Sequence, residues 1–249
     1  MIKIILCCLN EEKTLPNFLQ NLTNEISKIS SEFEILICLD GSNDNSLEII
    51  NNFQNHKIKT LPIINQRGLG LAFKRLFLEI INNSKNDDLV ISLDADNTHN
   101  PAQINEMFNY FNENNLDFLI ASRFCQNSVI KNFPIHRQLI SKLTSILLQI
   151  LFPIKKINGK KLKDYSSGFR IYKAEILKKL YNKEGKKFIT EPEFTYTCEL
   201  LIKLSCLKIK LDEIALSYNY GKKIGKSNLK IMRNFMRLLI MIKNLKFLF

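Results

Sequence analysis

Short apolar runs and helix-period segments take turns along the first half of this chain, and that alternation restricts the fold more than any other feature. The runs Ile2–Leu9, Phe33–Leu39, Ile58–Ile64, Leu89–Leu93 and Phe118–Ala121 are short, rich in branched residues and bounded by polar ones, as strands buried on both faces are. Between them, Leu15–Ile29, Ser46–Phe53, Leu69–Ile81 and Pro101–Phe111 repeat apolar residues at helical spacing. Asn100-Pro101 makes a good helix start, a capping side chain followed by a residue that needs no hydrogen-bond donor there. Strands alternating with helices predict an α/β fold, an open and mostly parallel sheet with helices on both faces. The 249 residues suit one such domain, read here as 1–220, with a small appendage over 221–249.

Ligands of such sheets bind beyond the carboxyl ends of the strands. Four polar clusters fall there: Asn10-Glu11, Asp40-Gly41-Ser42, Gln66-Arg67-Gly68 and Asp94-Ala95-Asp96. The last is the sharpest. Asp94 and Asp96 leave a buried strand two residues apart, so in extended chain they point the same way and repel unless a cation lies between them. Mg²⁺ or Mn²⁺, which binds through one or two carboxylates plus substrate phosphates, meets that need. Without the strand pattern around it, the same pair reads as a solvated loop with Asp96 capping a helix. Asp40-Gly41-Ser42-Asn43-Asp44 offers oxygens to a ribose or base, or simply an Asx turn. Gly68-Leu69-Gly70 permits close backbone approach to a phosphate, with Arg67 beside it as a fixed cation.

Beyond about residue 125 the pattern changes. Arg137–Phe152 reads as a long amphipathic helix, Lys155–Lys163 as a basic loop, 193–205 as a helix, 208–218 as a strand and Asn228–Phe249 as a basic amphipathic helix. The formal charge of +12 suits phosphorylated small molecules or acidic lipid surfaces. A nucleic-acid module would interleave exposed aromatics with the basic residues, whereas the aromatics here occupy core-like positions, so no nucleic acid is expected. Six cysteines without CxxC or Cys/His spacing read as buried small hydrophobes of a reducing compartment. Ile2–Leu9 is too short for a signal-peptide core. No stretch reaches the roughly 18 uncharged apolar residues of a membrane span, which predicts a cytoplasmic protein resting on the membrane surface.

In order along the chain, these residues resemble family 2 glycosyltransferases of the GT-A fold, above all the polyprenyl-phosphate sugar transferases of the dolichol-phosphate mannosyltransferase type. Cys7-Cys8-Leu9-Asn10-Glu11 stands where the family has P-T-Y-N-E, and Leu39-Asp40-Gly41-Ser42 where it has D-D-G-S. Arg67-Gly68-Leu69-Gly70-Leu71-Ala72 resembles G-L-G-x-A, and Asp94 to Pro101 is close to D-A-D-x-x-H-x-P. Ala121-Ser122-Arg123-Phe124 resembles G-S-R-Y, and Asp164 to Tyr172 is nearly a complete D-x-T-S-G-F-R-L-Y. The departures are Leu39, Cys7 and Leu9 around the nucleoside pocket, and Lys222 to Asn228, a loosened R-x-x-G-x-S-K. The family's late acidic residue has two candidates: Glu199, favoured by its spacing to Glu213-Ile214-Ala215-Leu216-Ser217, and Glu193, favoured by its Pro-Glu context.

The resemblance implies inversion at the sugar carbon, with a nucleotide-sugar donor held through Asn10, Glu11, Asp40, Arg67, Gly68 and Gly70 and a metal on Asp94 and Asp96. Arg123 and Arg170 are the candidates to grip phosphate oxygens. A lipid-phosphate acceptor needs no strong base, because its own oxyanion attacks; a hydroxyl acceptor needs one, with Asp164, Glu193 and Glu199 as candidates. His56, His99 and His136 are isolated, and only His99 falls near the proposed site. Family members often carry transmembrane helices after the catalytic domain, where residues 221–249 form a basic segment suited to an anionic membrane surface. The donor's base and sugar, the acceptor and the oligomeric state stay open, as does a degenerate, binding-only transferase. Other enzyme classes fit less well: a nucleotidyltransferase would carry a glycine-rich basic loop after the first strand, and a dinucleotide oxidoreductase would carry G-x-G-x-x-G there.

Overall fold

The structure, a computed structural model, describes residues 1–53, 57–61, 67–224 and 231–246. The predicted alternation is present as β1 (Ile2–Cys8), α1 (Leu15–Ile29), β2 (Phe33–Leu39), α2 (Ser46–Asn52), β3 (Ile58–Leu61), α3 (Leu69–Asn83), β4 (Leu89–Asp94), α4 (Gln103–Glu113) and β5 (Phe118–Ser122). There follow β6 (Val129–Lys131), α5 (Ile135–Leu151), β7 (Arg170–Lys173), α6 (Ala174–Glu184), α7 (Tyr196–Ser205), β8 (Leu211–Ala215), β9 (Ser217–Asn219) and α8 (Ile231–Leu245). Residues 62–64 of the third predicted strand, Gln66, His56, residues 225–228 of the basic loop, and residues 228–230 and 247–249 of the predicted last helix lie outside the described residues.

Seven strands form one sheet in the order β3-β2-β1-β4-β7-β5-β8. Every neighbouring pair is parallel except the two that involve β7, which runs antiparallel between β4 and β5. Strand alternation divides the core into two layers. Ile5, Leu36, Cys38, Val90 and Ile120 face α3, α6 and α7, while Ile4, Leu6, Ile35, Ile37, Ile91 and Leu93 face α1 and α4. Each fully buried branched or aromatic side chain contributes about 1.5–3 kcal/mol relative to exposure. That explains why β1, which lies inside the sheet and is covered on both faces, is apolar almost throughout.

Besides β6 and α6, which the sequence reading leaves unassigned, two elements differ from it. The run 208–218 is two strands rather than one. Lys208 takes a positive φ of 54°, so pairing starts only at Leu211. Leu216 then donates its N–H to Ser122 O at 3.0 Å, and the chain leaves the main sheet to pair β9 with β6. The second difference is β7 itself, whose four residues are too few for a period to announce them.

Candidate active site

Asp94 closes β4, in register with Cys7 at the end of β1. Asn97 turns the chain with a positive φ of 63°, a conformation asparagine tolerates. The turn brings His99 back beneath Asp94, whose N–H donates to His99 Nδ1 at 3.1 Å. Accepting that bond puts the imidazole proton on Nε2. His99 itself is wedged between Phe169 and Tyr218, with ring centroids 5.2 and 5.4 Å away.

Asp96 is held on both oxygens. Oδ1 accepts from the Thr98 N–H at 3.2 Å and the Thr98 hydroxyl at 2.6 Å, and Oδ2 meets Lys223 Nζ at 2.5 Å. Burial raises its pKa, but Lys223, Thr98 and His99 together outweigh burial and hold Asp96 below the usual carboxylate range. Asp94 moves the other way, raised first by burial and then by the charge of Asp96. Glu11 joins this group. Burial raises it to about 7 although Thr14 donates to Oε2 at 2.9 Å, with Lys223 drawing it down and Asp96 and Asp94 pushing it up.

The loop after β1 is laced to the loop after β2. Ser42 Oγ accepts from the Asn10 N–H at 3.1 Å, Ser46 Oγ from the Glu11 N–H at 3.0 Å, and Asn10 Oδ1 from the Asn43 N–H at 2.9 Å. Asp40 Oδ1 accepts from the Gly68 N–H at 2.7 Å, tying β2 to the start of α3, and Arg67 donates to Gly41 O at 2.5 Å. The two glycines of α3 admit the chain's own backbone. A Cβ on Gly70 would stand 2.1 Å from Glu191 O, and one on Gly68 2.5 Å from Pro192 O. Asn10, Glu11, Asp40, Arg67, Gly68, Gly70, Asp94 and Asp96 thus belong to one rim along the carboxyl ends of β1, β2 and β4.

Arg123 and Asp164 meet at the end of β5. The guanidinium clasps the carboxylate through Nε at 2.8 Å and a terminal nitrogen at 2.7 Å, and that nitrogen also reaches Ser166 Oγ at 2.6 Å. Asp164 further accepts from the N–H groups of Arg123, Ser166 and Ser167. Burial opposes the charge, yet Arg123 and these donors hold Asp164 below the ordinary carboxylate range. The charge of Arg123 reaches Asp94, which places it beside the carboxylate rim.

Arg170 and Glu199 are not brought to the open side. Arg170 is fully buried and donates to three backbone carbonyls, Ser167 at 2.7 Å, Thr197 at 2.8 Å and Tyr165 at 3.0 Å. Glu199, also buried, accepts from the Thr190 N–H and hydroxyl, the Glu191 N–H and the Lys203 ammonium at 2.6 Å. It holds the loop that lies on Gly68 and Gly70. Glu193, the other late acid, pairs with Arg233 of α8 at 2.8 Å. Lys223, within the loosened motif, and Tyr218 against His99 are site residues that the motifs alone do not single out.

The carboxylate rim fits a hard divalent cation. It offers oxygen donors only, and an ammonium already neutralises it at Asp96. Among the described residues no cluster of three or more His, Cys, Asp or Glu ligands exists, so such an ion would depend on phosphate oxygens to complete its shell.

The family model described as "Glycosyl transferase family 2" matches residues 3–181. The chain belongs to glycosyl transferase family 2. This transferase is 26% identical over 231 residues to a dolichol-phosphate mannosyltransferase of Pyrococcus furiosus, covering 92% of its own length and 59% of that relative's. It is 28% identical over 187 residues to an uncharacterised protein of Methanocaldococcus jannaschii, covering 73% and 75% of the two chains. Its fold superposes on glucosyl-3-phosphoglycerate synthase from Mycobacterium tuberculosis, solved with Mn²⁺, uridine diphosphate and phosphoglyceric acid, with a TM-score of 0.67 at 14% identity over 99% and 78% of the chains. It also resembles S. aureus TarS 1–349 solved with UDP-GlcNAc, with a TM-score of 0.58 at 16% identity over 97% and 65%. The GT-A architecture inferred from the motifs is therefore the one observed.

Proposed function

We propose that this transferase moves a hexose from a nucleotide-sugar of the GDP-mannose or UDP-glucose type to a polyprenyl phosphate, with inversion at the sugar carbon. The observation that carries the donor side is the convergence of Asp94, Asp96 and Glu11 on a single lysine at the end of β4. That excess of negative charge suits Mg²⁺ or Mn²⁺, held by Asp94 and Asp96. When bound, the ion supplies charge neutralisation at the leaving diphosphate. The chain's own residues do the remaining work. Asp40, Asn10 and the loops they brace frame the nucleoside, and Arg67 stands beside it. Arg123, fixed by Asp164, would supply its guanidinium charge to a phosphate oxygen. The relatives and neighbours support the same class of chemistry: one is named for dolichol phosphate, others are solved with uridine nucleotides and Mn²⁺.

The state of the candidate bases supports a phosphate acceptor. Asp164 and Glu199 are saturated by donors, and Glu193 is paired. These three, the base candidates named for a hydroxyl acceptor, are thus engaged, whereas a phosphate monoester brings its own oxyanion. An apolar tail also has a surface to meet. The outward side of α5 is aliphatic, with Ile135, Leu143 and Ile150 exposed at 75%, 65% and 70%. No helix among the described residues is long and apolar enough to cross a membrane, which suits reversible attachment to an anionic leaflet through α5 and the basic α8.

The test is direct. Enzyme, Mn²⁺ and a short polyprenyl phosphate are incubated with labelled UDP-glucose or GDP-mannose, and a lipid-extractable product is expected. Label found only on sugar or protein hydroxyls would overturn the acceptor. In Asp96→Asn, Mn²⁺-dependent nucleoside diphosphate binding should vanish while the thermal unfolding transition persists; unchanged affinity would overturn the donor site.

A further inference from the structure

Lys223 is the cation that pairs directly with Asp96 on the carboxylate rim. Its Nζ sits 2.5 Å from Asp96 Oδ2, and the charges of Asp96, Glu11 and Asp94 all raise its pKa against the opposing effect of burial. Lys223 and Asp96 are both mostly covered, at 16% and 13% side-chain exposure, so the pair is screened less than a surface ion pair. Its contact joins residues 127 apart in the chain. Lys223 ends a short ladder that runs from the main sheet: β9 pairs with β6, Asn219 donates its N–H to Thr98 O at 3.1 Å, and the turn Tyr220–Lys222 delivers the lysine. The carbonyl of Thr98 and the hydroxyl that holds Asp96 Oδ1 come from one residue. The two anchors of Asp96, Thr98 and Lys223, are thus built into the same unit.

A divalent cation on Asp96 and this ammonium compete for one oxygen. Two positive centres cannot share Oδ2 at contact distance without strong repulsion. A cation arriving alone must therefore displace Lys223 into a rim still rich in negative charge. A cation arriving with a diphosphate gives the displaced ammonium a new partner, because the phosphates bring oxyanions to within a side chain's length of the same place. We infer that Lys223 is a positioning residue that couples the metal to the nucleotide: it holds Asp96 in the unloaded enzyme and transfers to the donor's diphosphate when metal and nucleotide bind together. This inference rests on the donor site proposed above. By linkage, the same residue lowers affinity for the bare ion and raises affinity for the nucleotide in its presence.

Mn²⁺ binding, followed by loss of the free-ion electron paramagnetic resonance signal, tests this, with and without UDP or GDP. Lys223→Gln should bind Mn²⁺ alone more tightly and bind the nucleotide in saturating Mn²⁺ more weakly, each by about fivefold or more, the lower end of typical coupling between sites. Lys223→Arg, which keeps the charge, should stay close to wild type in both. Thermal unfolding of each variant reports whether it is folded, and Lys223→Arg, which keeps the ion pair, controls for any loss of stability in Lys223→Gln. Unchanged or weaker Mn²⁺ binding in Lys223→Gln overturns the coupling. If nucleotide binding in wild type proves independent of Mn²⁺, and Asp96→Asn leaves it untouched, the donor-site reading falls first and the coupling with it.

Discussion

The two halves of this transferase differ in how much charge they take inside. Up to Thr98 the core is mostly apolar, with few buried charges, Lys3, Asp40 and Asp88 among them, and the carboxylates of the site stand at strand ends, braced by short side-chain hydrogen bonds. From Arg123 onward the charges go inside: Asp164, Arg170, Glu199, Lys203, Asp212 and Glu213 are all buried, while α5 turns aliphatic side chains outward and keeps Ser145 within. The first half is shaped to bind a charged, hydrated molecule. The second uses buried charge to fix loops and leaves its apolar surface for something outside the protein. A charge buried without a partner is costly, so the internal ones come with hydrogen-bond or ion-pair partners.

The comparison breaks most severely at Glu199. Glu199→Ala would remove the acceptor shared by the Thr190 N–H and hydroxyl and the buried Glu191 N–H, and the carboxylate that neutralises the buried Lys203. A loss of about 3–5 kcal/mol is expected, read by chemical unfolding. A loss below about 1 kcal/mol would show that the second half does not depend on its internal charges. Asp164 offers a smaller, pH-dependent effect. Its folded pKa lies below the ordinary value of about 3.9, so its contribution to stability is fully present above that pH and fades as pH falls through the folded value. Wild type should be more stable than Asp164→Asn at neutral pH, and the gap should narrow below about pH 4. A gap that stays constant with pH would mean that packing, not charge, sets the difference.

The smallest effect on folding and the clearest on function should come from α5. Leu143→Glu with Ile150→Glu should change stability by no more than about 0.5 kcal/mol per site, since both side chains are exposed. The same double variant should sediment poorly with anionic vesicles that carry the wild type at low salt. Vesicle binding that survives the change but disappears with α8 would move the membrane contact to the C-terminal helix.

Much of this was legible in the residues themselves. A strand covered by helices on both faces must be apolar, so Ile2–Cys8, Phe33–Leu39 and Leu89–Asp94 could be placed to within a residue or two, and with them the carboxylates that follow. The motif from Asp164 to Tyr172 was visible too, but not what its parts do. An arginine in a short polar-flanked run reads as a surface cation. Only the insertion of β7 between β4 and β5 puts Arg170 opposite Ser92 and Ile120, inside the sheet. Likewise the sequence could name a late acid and a group of lysines, since residue type and spacing are local properties. Which acid is saturated and which lysine reaches Asp96 depend on contacts between residues 127 apart. Local periodicity follows from the geometry of one element, which the sequence contains in full. The pairing of distant charges follows from how elements pack, and that is settled only when the whole core closes.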